Sequence, residues 1–129
     1  LYNWHAVNDE RGLAPKGWKV PNDEEWKKAI SKIGNPANAG HKMKSIEGWM
    51  SGGNGINIWG LNMFPIGGRY NDGTFSSYGA SAFFWSTSDQ LMFYGRYFSL
   101  YHNKKAIEDG SLDKNYGFSV RCIKAIPAE

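Results

Sequence analysis

The side chains best suited to ligand binding lie in the C-terminal third of the chain, where aromatic residues alternate with amides and carboxylates. Flat aromatic faces stack against the C–H groups of sugar rings, while polar neighbours hydrogen-bond with the hydroxyls. The candidate ligand-binding residues are Trp85, Asp89, Tyr94, Tyr97, Tyr101, Asn103, Asn115 and Tyr116. The alternative is core packing, because a chain with seven Phe, seven Tyr and six Trp must bury most of its rings. We favour core packing for Trp85 and leave both interpretations open for Tyr97 and Tyr101.

Two arginines, Arg96 and Arg121, lie in the same part of the sequence. The planar guanidinium donates several hydrogen bonds in a fixed geometry, which suits it to join loop carbonyls or carboxylates to a sheet. The alternative to a role in ligand binding is therefore that both are framework residues.

The single cysteine, Cys122, is the first candidate for catalysis. One cysteine excludes an internal disulfide and any multi-cysteine metal site. Alternation along the last predicted strand places it on the same face as Phe118 and Val120, where a small buried thiol is expected. A reactive thiol needs a cation or a helix end nearby, and the sequence shows none on that face. We therefore expect a structural role and no catalytic residue.

The three histidines, His5, His41 and His102, lie in different segments without the spacing of a metal site. A zinc site would require folding to bring them together. We expect isolated surface or capping histidines, and neither a metal nor another cofactor.

Oxygen-bearing side chains alternate from Asp109 to Asn115, superficially as in a calcium-binding loop. The glycine required at the sixth position of such a loop is Lys114, and the glutamate required at the twelfth is Val120. This segment is therefore predicted to be a solvated hairpin turn.

Length and charge restrict the partners of this chain. Its 129 residues suffice for a single domain with one core, and we expect that domain to be part of a longer protein, because the chain starts at Leu1 without a signal peptide. The net charge of +3 is evenly spread, with eight Lys/Arg and six Asp/Glu in residues 1–60 and seven and six in residues 61–129. Without a basic stripe, nucleic acid is not an expected partner. No apolar run reaches membrane-spanning length, so this domain is not expected to insert into a membrane.

Residues 17–34, GWKVPNDEEWKKAISKIG, carry the strongest local signal. Asn22 is the expected N-cap, and Glu25 stands where it completes a capping box. The apolar positions that share one helical face are Trp26, Ala29, Ile30 and Ile33. Gly34 is expected to end the helix in the left-handed conformation. The segment predicts an amphipathic helix packed against a sheet.

The other elements before residue 61 have weaker signals. Residues 1–8 have the composition of an N-terminal strand. A second, shorter helix is predicted at residues 39–46, with Met43 and Ile46 as core positions. The glycine-rich segment 47–60 is predicted to be a flexible loop.

After residue 61 the pattern is typical of hairpins. Asp72-Gly73 between two apolar runs predicts one hairpin turn, and Asp109-Gly110 predicts another. Residues 117–123 are predicted to be the last strand.

The aromatic stretch 91–101, LMFYGRYFSLY, is predicted to be a strand with a partner at residues 104–108. Strand alternation places its side chains on two faces. One face is expected to hold Met92, Phe98 and Leu100, and the other Phe93, Tyr97 and Tyr101.

Four segments, in order over residues 1–124, resemble the Fibrobacter succinogenes major paralogous domain. They are GLAPKGWKVPNDEEW, PIGGRYNDGTF, FFWSTS and YGFSVRCIK. That family is similar in turn to the formylglycine-generating enzymes, whose helix entry has an Arg-Leu-Pro-x-x-x-Glu-Trp pattern. The corresponding stretch here is Lys19-Val20-Pro21-Asn22-Asp23-Glu24-Glu25-Trp26, and Gly117-Phe118 with Arg121-Cys122 resembles their terminal strand.

The resemblance implies an α+β fold of the C-type-lectin-like class, in which two helices flank a small twisted antiparallel sheet with long loops. It also implies a secreted or outer-surface protein of gut or rumen bacteria, often a lipoprotein, that binds its ligand on the loop-rich side. The formylglycine-generating enzymes bind copper with a pair of cysteines, whereas this chain has one.

The leading hypothesis for function is a non-catalytic extracellular module that binds a glycan or protein ligand at the cell surface through its loop-rich C-terminal side. One alternative is a diversified receptor-binding domain of phage or bacterial origin, whose copies would vary between residues 84 and 116. A second alternative is a structural spacer. A third is a copper-dependent oxidase, or a hydrolase, descended from the formylglycine-generating enzymes, and the missing second cysteine weighs against the oxidase.

Overall fold

The fold is mixed α/β with few helices and a small antiparallel sheet, as the sequence predicted, and the computed structural model describes residues 1–90 and 92–125. The helices are α1 (Trp4–Val7), α2 (Asp23–Ile33) and α3 (Ala39–Met43), with a 3₁₀ turn at Ile58–Gly60. The strands are β1 (Trp18–Lys19), β2 (Gly68–Arg69), β3 (Phe75–Ser76), β4 (Ser81–Gln90), β5 (Tyr94–Tyr101), β6 (Ile107–Asp113) and β7 (Ile123–Lys124). Within the described part of the chain, every helix is too short or too polar to span a bilayer.

Three antiparallel strands in the order β4-β5-β6 form the central sheet. The register of β4 and β5 pairs Phe84 with Phe98 and Trp85 with Tyr97. Two smaller antiparallel pairs, β1 with β7 and β2 with β3, stand beside it. The β1–β7 pair joins the segment before α2 to the C-terminal segment.

One face of the central sheet packs against α2. Strand alternation directs Phe84 and Phe98 to this face, where Trp26 stacks on Phe98 with ring centroids 5.0 Å apart. Trp26, Ile30 and Ile33 are all buried. The burial of these three positions confirms the predicted apolar face of the helix.

The opposite face of the sheet packs against α1 and the C-terminal segment. Trp85 is fully buried here beside Trp4 and Phe118. The Phe118 ring lies 4.4 Å from the Trp85 ring and 4.8 Å from the Phe83 ring, centroid to centroid. The sheet is therefore covered on both faces by aromatic packing.

The helix α2 begins as predicted but ends differently. The Asn22 side chain accepts a hydrogen bond from the backbone N–H of Glu25 at 2.9 Å, and the Glu25 carboxylate accepts one from the backbone N–H of Asn22 at 3.0 Å. This confirms the capping box. Gly34, however, has φ 168°, which is extended and not left-handed. A Cβ at this position would lie 2.5 Å from Oδ1 of Asn38, so a larger residue would require the Asn38 side chain to move.

The prediction of a strand at residues 1–8 is wrong, because α1 occupies the second half of this segment, Trp4–Val7. Asn3 caps the helix with its side chain, and Trp4 and Val7 are both buried. Trp4 and Val7 are three positions apart. A helical turn places both on the same side, whereas an extended chain would direct them to opposite faces. Tyr2 keeps one extended bridge to the C-terminal segment.

The second predicted helix is shorter than residues 39–46, since α3 ends at Met43. Met43 is buried as predicted, whereas Ile46 is 64% exposed, so its prediction as a core residue is wrong. The chain leaves helical geometry at Lys44, where it forms an extended bridge with Met63.

The next segment, residues 47–60, is a loop, as predicted. The 3₁₀ turn at Ile58–Gly60 lies at its end. Three of its residues other than glycine, Ser51, Asn57 and Trp59, have φ between 50° and 54°. This left-handed conformation is unfavourable for side chains larger than glycine and occurs most often in turns.

The predicted turn at Asp72-Gly73 is confirmed, since β2 and β3 pair across it. Asp72 Oδ1 accepts a hydrogen bond from the backbone N–H of Thr74 at 2.9 Å. The short polar side chain thus stabilises the turn locally.

The predicted turn at Asp109-Gly110 is wrong, because β6 runs through both residues, and the expected partner strand at residues 104–108 is displaced towards the C-terminus. Gly110 lies opposite Tyr97, and a Cβ at this position would stand 2.8 Å from the Tyr97 phenol oxygen. The glycine is therefore explained by the ring that lies over it and not by a turn.

The strand β5 begins later than predicted. Leu91 lies outside the described residues, and Met92 and Phe93 form part of the preceding turn, where they are 81% and 71% exposed. Neither therefore belongs to a strand face. Phe98 and Leu100 are buried on the α2 side as expected.

The last predicted strand, residues 117–123, is mostly irregular. Gly117, Phe118 and Ser119 each make a single bridge, and each bridge goes to a different segment. Regular pairing resumes at β7, because the chain must first pass between the central sheet and the N-terminal segment.

Candidate functional site

Trp85 does not belong to an exposed site. Its side chain is fully buried, and its indole N–H donates a hydrogen bond to the Tyr2 carbonyl at 2.8 Å. The prediction that Trp85 binds a ligand is therefore wrong. Trp85 is a core residue, as the alternative interpretation held.

Two of the predicted tyrosines converge on a phenylalanine that the sequence did not single out. The Phe83 ring centroid lies 5.8 Å from that of Tyr97 and 6.1 Å from that of Tyr101, and both contacts are edge-to-face. All three side chains are half-buried. We call Phe83, Tyr97 and Tyr101 the aromatic row.

Strand register assembles the aromatic row. Phe83 pairs with Ser99 across β4 and β5, so its neighbours along β5 on the same face are Tyr97 and Tyr101. Gly110 on β6 leaves room for the Tyr97 ring. Burial raises the pKa of the Tyr97 phenol further above neutral pH, so the protonated group is available to donate a hydrogen bond.

Tyr116 lies beside the row, with its ring 6.3 Å from the buried ring of Phe118. Tyr70, which the sequence did not indicate, packs edge-to-face on Tyr116 at 5.5 Å. The ring of Phe118 contacts both Tyr97 and Phe83, so it connects Tyr116 to the row.

Two other predicted residues, Asp89 and Tyr94, lie at the far end of the β4–β5 hairpin from Tyr101. Asp89 forms an ion pair with Lys114 at 3.3 Å, and the Lys114 amine lies 4.1 Å from the centre of the Trp4 ring. Both residues are exposed, but they are not part of the aromatic row.

Asn115 is also separate from the row. Its backbone N–H donates a hydrogen bond to Asp113 at 2.8 Å, and its side chain lines a cavity of about 280 Å³ next to the N-terminal residues. The predicted set thus divides between different parts of the surface.

Asn103 belongs to a second site, which adjoins the row at the β5–β6 turn. This site, here called the basic cleft, is a cavity of about 260 Å³. It is lined by His41, Lys44, Gly52, Gly53, Asn54, His102, Asn103, Lys104 and Lys105. Folding therefore brings together two histidines that the sequence analysis treated as isolated.

Lys44 is the buried cation of the basic cleft and is only 2% exposed. Its amine donates hydrogen bonds to the Tyr101 carbonyl at 2.9 Å and the Lys104 carbonyl at 3.0 Å, and it lies 5.1 Å from the centre of the Trp49 ring. Burial lowers the pKa of Lys44. No carboxylate of the described residues comes within 4 Å of the amine.

His102 supplies a second unusual feature of the cleft. Its Nδ1 atom is buried and has no hydrogen-bond partner among the residues described. The backbone of Gly53 packs so closely that a Cβ there would stand 2.3 Å from the His102 carbonyl oxygen. The close glycine contact fixes this wall of the cleft.

One turn joins the two sites. Tyr101 ends the aromatic row, and the next four residues, 102–105, line the cleft. The Lys104 amine lies 5.0 Å from the centre of the Tyr101 ring and forms an ion pair with Glu108 at 2.9 Å. A ligand on the row would therefore lie next to the cationic cleft.

Cys122 is half-buried, where a buried thiol was expected. It lines a predominantly apolar cavity of about 180 Å³ together with Trp26, Met43 and Met63. Burial raises the pKa of the thiol, and the nearby charge of Arg121 opposes this effect only in part. These surroundings agree with the structural role that the sequence indicated.

The calcium-like pattern is explained by an arginine. Arg96 donates hydrogen bonds to Asp109 at 2.6 Å and to Ser111 at 3.3 Å, and it also binds Asp23 of α2 at 2.8 Å. Arg121 donates to the Leu61 carbonyl at 2.8 Å. Both arginines are framework residues, as the alternative interpretation held. In residues 1–90 and 92–125, no three His, Cys, Asp or Glu side chains are grouped so that they could hold a metal ion.

Comparison with known proteins identifies the family. The model of the Fibrobacter succinogenes major domain matches residues 1–124. No curated protein and no solved structure matches the chain. Because the family match covers nearly the whole sequence, this chain belongs to the Fibrobacter succinogenes major domain family.

Proposed function

We propose that this domain is a non-catalytic module that binds glycans on the aromatic row. The observation that carries the proposal is the convergence of three half-buried rings, Phe83, Tyr97 and Tyr101, on the face of the central sheet that also holds Phe118. Sugars stack on such rings, and hydroxyl and amine groups at the edge complete the recognition. Here the Tyr97 phenol and the Lys104 amine are the neighbouring polar groups.

The proposal includes a fold of the C-type-lectin-like class and descent shared with the formylglycine-generating enzymes. It is supported by the pairing of β1 with β7, which brings the segment before α2 next to the C-terminal segment, and by a long, mostly irregular segment between α3 and β2. In such an architecture the loops and the outer strands are the expected binding region.

A catalytic function has less support. A copper site of the formylglycine-generating type needs two cysteines, and Cys122 is the only one in the sequence. Its thiol lines an apolar cavity and has a raised pKa, which disfavours the thiolate that binds metal or attacks a substrate. We therefore place the function in binding, in a protein secreted or displayed at the bacterial surface.

The test is a glycan array followed by titration of the best binder with the chain 1–129. Tyr97→Ala and Tyr101→Ala should each weaken binding by about tenfold, a loss of about 1.4 kcal/mol. Tyr94→Ala is the matched control, because Tyr94 is exposed on the same strand but lies outside the row. Thermal unfolding of all variants shows whether they remain folded.

Gly110→Ala gives an independent variant of the same site. Gly110 has no left-handed φ, so the backbone tolerates alanine, but the new methyl group would displace the Tyr97 ring. We expect weaker binding and a loss of stability of about 1–3 kcal/mol, because the packed Tyr97 ring must shift. Unchanged affinity in Tyr97→Ala, Tyr101→Ala and Gly110→Ala would contradict the proposal.

A protein ligand is the second candidate, favoured by a separate apolar surface. Ile66, Phe75 and Tyr78 are 43%, 74% and 78% exposed and line a common cavity of about 390 Å³. Exposed apolar surface of this kind often marks a protein interface. If Phe75→Ala abolishes capture of a surface protein while the row variants do not, the ligand is a protein and the row is not its site.

A further inference from the structure

We propose that the basic cleft binds a tetrahedral oxyanion, a sulfate or phosphate group, and that this group is a substituent of the glycan held on the aromatic row. The last clause depends on the proposed function, whereas binding of the oxyanion itself does not. The juxtaposition that carries the inference is a cavity lined by three lysines and two histidines beside the end of the row.

Two of the three lysines that line the cleft have no compensating carboxylate in the described residues. Its lining contains Lys44, Lys104 and Lys105 and no Asp or Glu. Lys104 has an ion pair with Glu108 at the exposed rim, whereas neither Lys44 nor Lys105 has a carboxylate within 4 Å in the part of the chain described. An anion in the cavity would supply the missing negative charge.

The buried lysine acts through its charge. The Lys44 amine donates to two carbonyls of the β5–β6 turn and lies 5.1 Å from the centre of the Trp49 ring, so it holds the turn in place and leaves most direct contacts with the ion to other residues. Its charge in a desolvated position attracts an anion more strongly than a solvated charge would. An ion bound nearby would offset the desolvation that lowers the pKa of Lys44.

Donors for the ion come from the cleft walls. His41 and His102 line the cavity, and an imidazole N–H can donate a hydrogen bond to an anion there. The Asn54 side-chain oxygen accepts from the backbone N–H of Trp49 at 3.0 Å, which leaves its NH₂ group as a donor. Lys105 is exposed at the opening of the cavity.

The donor types favour a tetrahedral ion over a carboxylate. Arginine recognises carboxylates through two parallel N–H bonds, whereas lysine binds as a point charge without a planar geometry, so that lysines around a cavity can share the several oxygens of a phosphate or sulfate. No arginine is found among the described residues that line the cleft. Nucleic acid is a less suitable source of phosphate, because the positive charge is spread along the chain and forms no basic stripe.

The first experiment uses inorganic sulfate and the full chain. Amide signals of Gly53, Asn54 and Lys105 are followed by NMR during titration at constant ionic strength. We expect saturable shifts, with affinity lowered at least about fivefold in His102→Gln and in Lys105→Gln. Lys27→Gln, which removes an equally exposed charge on α2, should leave the affinity unchanged. Absence of saturable shifts, or equal losses in Lys105→Gln and Lys27→Gln, would overturn the proposal.

The second experiment identifies the source of the anion. A chondroitin sulfate oligosaccharide should bind at least about tenfold more tightly than its desulfated form, which keeps its carboxylates, and the difference should vanish in Lys105→Gln. If both forms bind equally and Tyr101→Ala weakens both, the glycan function stands and the cleft proposal is wrong. If neither form binds but sulfate still titrates the cleft, the oxyanion site stands and its assignment to a glycan is wrong. A single-stranded oligonucleotide that binds as tightly as the sulfated sugar would also overturn that assignment.

Discussion

Trp26 and Trp85 are both buried indoles, but their surroundings differ. Trp85 donates its N–H to the Tyr2 carbonyl, whereas the N–H of Trp26 has no partner in the described residues. Trp26 is held by ring contacts, with centroids 5.0 Å from Phe98 and 5.8 Å from Phe84. Packing, and not hydrogen bonding, therefore accounts for its contribution to stability.

Trp26→Ala should lower the free energy of unfolding by about 3–5 kcal/mol, because it removes a large buried side chain from the α2–sheet contact. Urea denaturation measures the change. Trp18→Ala is the control, since Trp18 is 49% exposed. A loss below about 1 kcal/mol for Trp26→Ala would be inconsistent with the packing described.

Cys122 should react slowly with alkylating reagents at neutral pH. Its raised pKa lowers the thiolate fraction at pH 7, and the thiolate is the reactive form. The labelling rate should rise with pH and level off above the pKa of the thiol. Because that pKa is raised in the folded chain, the rate should level off at a higher pH than in the unfolded chain. Labelling with iodoacetamide, followed by mass spectrometry and compared with the chain in urea, provides the measurement. Native labelling as fast as in urea would show that the thiol is open to solvent.

Arg96 connects three secondary-structure elements, α2, β5 and β6. From β5 it binds Asp23 at the start of α2 and Asp109 on β6, and the side chains of Arg96 and Asp23 are only 17% and 18% exposed. The helix is thus fixed to the sheet by a partly buried ion pair as well as by its apolar face.

Arg96→Met should destabilise the protein by about 2–3 kcal/mol, because it leaves the Asp23 carboxylate partly buried without its partner. Lys104→Met is the matched control. It breaks the exposed Lys104–Glu108 pair, for which a loss below about 1 kcal/mol is expected. Equal losses in the two variants, measured by urea denaturation, would show that Arg96 contributes no more than a surface charge.

At the scale of the whole molecule, the two cores lie on opposite faces of one sheet. Neighbouring residues of β4 point alternately into them, so Phe84 belongs to the α2 core and Trp85 to the core around Phe118. Loss of either core should disrupt the strand pairs that support the other.

The domain should therefore unfold in one cooperative transition. Phe118→Ala is expected to cost about 3–5 kcal/mol and to lower the midpoint of the whole molecule, as Trp26→Ala does from the other face. Far-UV and near-UV circular dichroism should report the same midpoint in both variants. Two separate midpoints would contradict both the coupling of the cores and the predicted single domain.

The features that depend on nearby residues could be predicted from the amino-acid sequence. The capping box of Asn22 and Glu25 and the apolar face of α2 are short-range interactions, and the Asp72-Gly73 turn depends on local backbone preferences. Each can be predicted because its partners are at most a few residues apart. The family, too, could be recognised from motifs spread in order along the chain.

The tertiary structure alone decided which distant residues meet. Asp109-Gly110 has the local signal of a turn, but pairing with β5 and the space required by Tyr97 keep it in a strand. His41 and His102 share a cleft because α3 packs against the β5–β6 turn, and Phe83 joins Tyr97 and Tyr101 because strand register places it between them. Contacts over such sequence separations depend on the packing of the entire chain, so neither the aromatic row nor the basic cleft could be read from local patterns.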